Sequence, residues 1–121
     1  EKENTSLPTT SILHLEKLLS DPTRSEFATE ILRKIVKRGW KINFDCLAAL
    51  SDALTHESTE SRINAAWILN EVIEKHVLNE KVLINLCNAI EDIENEVVEY
   101  AICALKKVIS KLIIDIQINV I

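Results

Sequence analysis

The chain has 121 residues, with 14 Lys+Arg against 19 Asp+Glu and a formal net charge of −5. Phosphate neutralisation needs clustered Lys and Arg, so a strongly basic nucleic-acid module is not expected. Apolar residues make up 47%, enough for a core and too many for a disordered chain, while the single glycine, Gly39, excludes a glycine-rich phosphate loop. Residues 1–9 read as a tail, and Glu1-Lys2-Glu3-Asn4 has no apolar signal-peptide core. A first helix is predicted over Thr10 to Leu19, then a break at Ser20-Asp21-Pro22. A second runs from about Thr23 to Arg38. Pro22 suits a first helical turn, where its missing N–H costs nothing, and Gly39 suits the left-handed position after a helix. Phe44 to Thr55 carries Leu47, Leu50, Ala53 and Leu54 at helical spacing. His56 to Thr59 is a polar break in which Ser58 or Thr59 can cap the next helix. That helix, about Glu60 to Lys75, has the stripe Ala65, Ile68, Leu69, Val72 and Ile73. The plan repeats over about Glu80 to Glu91, a break at Asp92 to Asn95, and about Glu96 to Lys111.

The elements are copies of one unit. Leu47 matches Leu83, Leu50 matches Leu86, Ala65 matches Ala101, Leu69 matches Leu105 and Ile73 matches Ile109, each 36 positions apart. Asn43, Asn79 and Asp115 share that spacing as candidate N-caps, preceded by Ile42, Leu78 and Ile114 as staple positions. The first unit is offset by 37 in its second helix and by 35 in its first. A loop change of that size is cheap. The units are about 10–42, 43–78 and 79–114, with 115–121 as the start of a fourth. Ile114 to Ile121 alternates apolar and polar residues and, taken alone, reads as a strand. The repeat frame instead makes Asp115 the cap of a new helix. On that reading the chain is part of a longer protein, and its open C-terminal end invites self-association.

Little here suggests catalysis. Cys46, Cys87 and Cys103 have no paired spacing and read as small apolar residues in helices. His56-Glu57 is a single pair and cannot complete a coordination sphere. No nucleophile elbow or zinc-helix motif occurs. A non-enzyme without metal or cofactor is expected, intracellular and cytoplasmic, with no apolar run approaching the ~18 residues of a membrane span.

The run Leu47-Ala48-Ala49-Leu50-Ser51-Asp52-Ala53-Leu54, followed by Ser61-Arg62-Ile63-Asn64-Ala65-Ala66-Trp67-Ile68-Leu69, resembles the HEAT repeat family and, loosely, the armadillo family. The resemblance covers about residues 10–121. It implies an all-α, right-handed α–α superhelix of about three helix pairs plus the start of a fourth. There are departures. Where unit two has Arg62, units one and three have Ser25 and Val98, so an Asp–Arg ladder along the stack is interrupted. Glu71, not Asn, stands four residues after Trp67, unlike an armadillo peptide clamp.

In this family the second helices line a concave face, and register places Glu30 with Trp67, Phe27 with Asn64 and Tyr100, and Lys34 with Glu71 and Lys107. Phe27, Trp67 and Tyr100 would give that strip aromatic anchors for a protein or peptide partner. The competing reading packs Trp67 and Phe27 between repeats. Two other readings remain: a structural spacer within a larger solenoid, and a nucleic-acid-binding module using Lys34, Lys37, Lys106, Lys107 and Lys111.

Overall fold

The computed structural model describes residues 8–42, 44–73 and 80–120. Among these the chain is all-helical: α1 (Thr9–Ser20), α2 (Ser25–Lys37), α3 (Phe44–Ala53), α4 (Thr59–Val72), α5 (Glu80–Ala89) and α6 (Asn95–Val120). The caps expected at Asn43 and Asn79 lie outside the described residues.

Local chemistry explains the helix ends. The Asp21 side chain accepts from the Thr23 amide at 2.9 Å and the Thr23 hydroxyl at 2.8 Å, and its carbonyl accepts from the Ser25 amide at 2.9 Å. Asp21 is thus a working N-cap with extended backbone (φ −88°, ψ 115°), and Pro22 follows it where no N–H is needed. The Thr23 bonds, helped by the Arg24 charge, hold the Asp21 carboxyl below its ordinary 3.8. At the end of α2, Gly39 takes φ 88°. Its amide bonds to the Val36 carbonyl and the Trp40 amide to the Ile35 carbonyl. This is the left-handed stop that a side chain would disfavour, with half-buried Trp40 packed on the core behind it. Ser58 is the cap of α4, accepting from the Ser61 amide at 3.2 Å.

The repeat is visible in backbone hydrogen bonds. The α3–α4 turn closes with Leu54, Thr55 and His56 amides donating to Ser51, Asp52 and Ala53 carbonyls. The α5–α6 turn closes with Ile90, Glu91 and Asp92 amides donating to Cys87, Asn88 and Ala89, the same three bonds 36 residues on.

Successive helices pair as α1/α2, α3/α4 and α5/α6. Odd helices also stack on one another (α1 on α3, α3 on α5), as do even ones (α2 on α4, α4 on α6). The result is two layers with one continuous core. Helix α4 lies in the middle and buries eight of its fourteen residues. Ile68 and Leu69 are fully enclosed, each worth roughly 1.5–3 kcal/mol of apolar burial.

One expectation is overturned. Asp115 does not open a fourth helix: residues 112–120 continue α6. After α2 a positive-φ glycine breaks the helix, whereas residues 107–120 contain neither Gly nor Pro. With no breaker, one added hydrogen bond per residue favours continuation over a new costly nucleus. The alternating pattern of this segment yields no strand either.

Candidate functional site

The even-numbered helices carry all eight of the sequence-selected strip residues, at unequal exposure. Trp67 of α4 is half-buried and packed on the core. Arg33 of α2 lies over its ring at 4.7 Å from the centroid, and Lys37, one turn further on, at 5.5 Å. Both distances are within reach of the attraction between a cation and an aromatic face. Arg33 is held there by Asn64, whose Oδ1 accepts from Nη1 at 3.0 Å. Asn64 Nδ2 donates to the Thr29 hydroxyl at 3.5 Å. Asn64 is therefore buried between α2 and α4, its amide accepting from Arg33 and donating to the Thr29 hydroxyl.

Beside this cluster runs a hollow of about 430 Å³ lined by Glu26, Glu30, Arg33, Lys34, Lys37, Glu60 and Asn64. Glu30 and Lys34 pair across one turn at 3.8 Å, both well exposed. Three carboxylates (Glu26, Glu30, Glu60) and three cations (Arg33, Lys34, Lys37) line it, and Arg33 and Lys37 also reach the neighbouring Trp67 ring.

The remaining residues fall elsewhere. Glu71 is exposed further along α4. Tyr100 is half-buried against the core. Lys107 donates to the Asn70 main-chain carbonyl at 2.7 Å, joining α6 to α4. That ties its charge to carbonyls near the end of α4, the negative pole of the helix. Phe27 is exposed and does not line the hollow. The lysines considered for nucleic acid divide between two places: Lys34 and Lys37 here, and Lys106, Lys107 and Lys111 around a separate hollow of about 410 Å³ on α6. Sequence reasoning missed Glu26, Arg33 and Glu60. An available signal was the Arg33/Lys37 pair at i, i+4, flanking Lys34.

The interrupted ladder has one rung. Arg62 Nε and Nη2 meet the two Asp92 oxygens at 2.8 and 3.3 Å, and Nη1 donates to the His56 and Glu57 carbonyls, both at 2.9 Å. Asp92 also caps the Glu94 amide at 2.9 Å.

Cys46 is buried, and burial, seconded by the Glu16 charge, pushes its thiol up to about 12; Cys87 and Cys103 are exposed. Among the described residues no group of three or more His, Cys, Asp or Glu side chains is placed to hold a metal ion. No helix among them is long and apolar enough to cross a membrane. No protein-family model matches the chain, no curated protein matches it, and no solved structure matches it.

Proposed function

We propose that this chain is a non-catalytic interaction module of HEAT-like, right-handed α-solenoid type, in which the even-numbered helices offer a concave surface to an extended peptide of a partner protein. The observation that carries the reading is the α2/α4 hollow, with Glu30, Lys34 and Glu60 exposed along its walls, beside a Trp67 ring held under Arg33 and Lys37. Such a surface suits a peptide with an acidic side chain for Lys34 and Lys37 and a basic one for Glu26 and Glu30. The odd-helix and even-helix stacking supports the solenoid reading. Asp21 and Cys46, whose ionisation the fold displaces, both lie outside the hollow, so they supply it with no tuned acid or base. The burial of Asn64 and half-burial of Trp67 favour a second reading, a structural spacer whose polar groups only join helices.

Selection from a displayed random-peptide library separates the two. The module reading expects enriched peptides that shift the Trp67 indole N–H resonance, and that bind a doubly charge-reversed Lys34→Glu, Lys37→Glu variant at least tenfold more weakly. No enrichment, or peptides indifferent to the reversal, leaves the spacer.

A further inference from the structure

Positions 36 residues apart in the second and third helix pairs fall into two sets. Those facing inside a pair are buried in both: Leu50 and Leu86, Ala65 and Ala101, Val72 and Val108. Those facing the following pair are not. Ala66 is 0% exposed and Ile102 36%; Ile73 is 3% exposed and Ile109 54%. Leu54 is buried and its counterpart Ile90 exposed, and Ser51 is likewise buried and its counterpart Cys87 exposed. The second pair is covered on this flank by the third, directly so at Ser51, whose hydroxyl accepts from Asn85 at 3.1 Å. On the third pair the same flank is open and more apolar.

The leading end shows the complementary difference. Phe27 of α2 is 68% exposed where its counterpart Asn64 in α4 is 7%. Ile31 is exposed where Ile68 is buried.

We propose that these two flanks are halves of one interface: the α1/α2 flank of a second copy of this chain packs head to tail on the α5/α6 flank of the first. Register specifies the contact. At the first junction Asn64 sits on Thr29 and Arg33. The counterparts of Thr29 and Arg33 in α6 are Ile102 and Lys106, and the counterpart of Asn64 at the leading end is Phe27. Asn64 and Thr29 give way to Phe27 and Ile102 while the cation is kept, so that Phe27 meets Ile102 and the Lys106 ammonium reaches the ring. An aromatic side chain fits this register, since Tyr100 occupies it, half-buried, at the second junction. Because the two surfaces differ, the contact is heterologous and repeats from copy to copy. It uses the flanks, not the α2/α4 hollow, so peptide binding and self-association stand or fall separately.

Sedimentation velocity of the 121-residue chain from micromolar to millimolar concentration tests this, with Phe27→Asp and Ile109→Glu variants of confirmed helical content. The parent is expected to form species that grow with concentration, and each variant alone to stay monomeric. Their equimolar mixture is expected to form a one-to-one dimer and nothing larger, because one keeps the trailing flank and the other the leading flank. Alkylation of Cys87, on the open flank, is expected to slow as the parent assembles while that of Cys103 does not, a readout that needs no substitution in the packed flank. A parent that stays monomeric, with Cys87 reacting at a constant rate, overturns the proposal and assigns the flank to another occupant. So does association that survives both variants, or a mixture that forms no dimer.

Discussion

The junction of α2 with α4 and that of α4 with α6 occupy the same register and are held by different chemistry. At the first, the polar contacts form a diffuse network. Glu26 accepts from the Ser58 hydroxyl at 3.1 Å, Asn64 joins Arg33 to Thr29, and Trp67 lies under two cations. At the second, one ion pair dominates: Arg62 and Asp92, both nearly buried, meet with two hydrogen bonds, and Lys107 ties α6 to the end of α4. Backbone geometry repeats more faithfully than side-chain chemistry. Apolar burial brings successive pairs together at either junction, and each then satisfies its polar groups with whatever residues it has.

The sharpest way to break the comparison is Asp92→Ala. It leaves the Arg62 charge facing only two carbonyls, and loss of one partner of a buried pair is expected to cost about 3 kcal/mol in a urea titration. If the loss is below about 1 kcal/mol, the pair behaves as a surface bridge and the second junction does not rest on it. Asn64→Ala at the first junction is expected to cost less, about 1–3 kcal/mol, since Thr29 keeps its bonds to the Ser25 and Glu26 carbonyls and only Arg33 loses its acceptor. A double Asp92→Ala, Asn64→Ala variant then reports whether α4 couples the junctions, additivity meaning that it does not.

The smallest effect is a pH dependence at the α1–α2 turn. The Asp21 carboxyl is held below 3.8, so in that range the unfolded chain binds the proton more readily than the folded one. The contribution is complete above 3.8 and disappears as pH falls through the lower folded value. Asp21→Asn should flatten the acid limb of the stability curve there; an unchanged limb would assign acid sensitivity to other groups.

Much of this molecule is legible in its sequence where the cause is local. Asp21, Pro22, Ser58 and Gly39 mark helix ends through bonds to residues at most five positions away. Each described helix coincides with an apolar stripe at helical spacing. The exceptions have local causes too: Asp115 looks like a cap only if something interrupts α6, and nothing between it and Asn95 does. The site was far less legible. Trp67 and Lys34 were picked out by residue type and register, but the i, i+4 spacing of Arg33 and Lys37 does not by itself say which ring the pair covers. Asn64 reads as an outward polar residue until α2 is set beside it.

The sequence by itself therefore determined the helices, their pairing and the 36-residue period, because periodicity, capping and turn closure are settled within a few residues of chain. Only the tertiary structure decided which equivalent positions are buried, which cation lies over Trp67, and that Arg62 finds Asp92. Those outcomes depend on side chains some thirty residues apart meeting across two helices, and on whether a neighbouring pair covers the flank. Ala66 and Ile102 share one place in the repeat; α6 covers the first, and the second remains exposed.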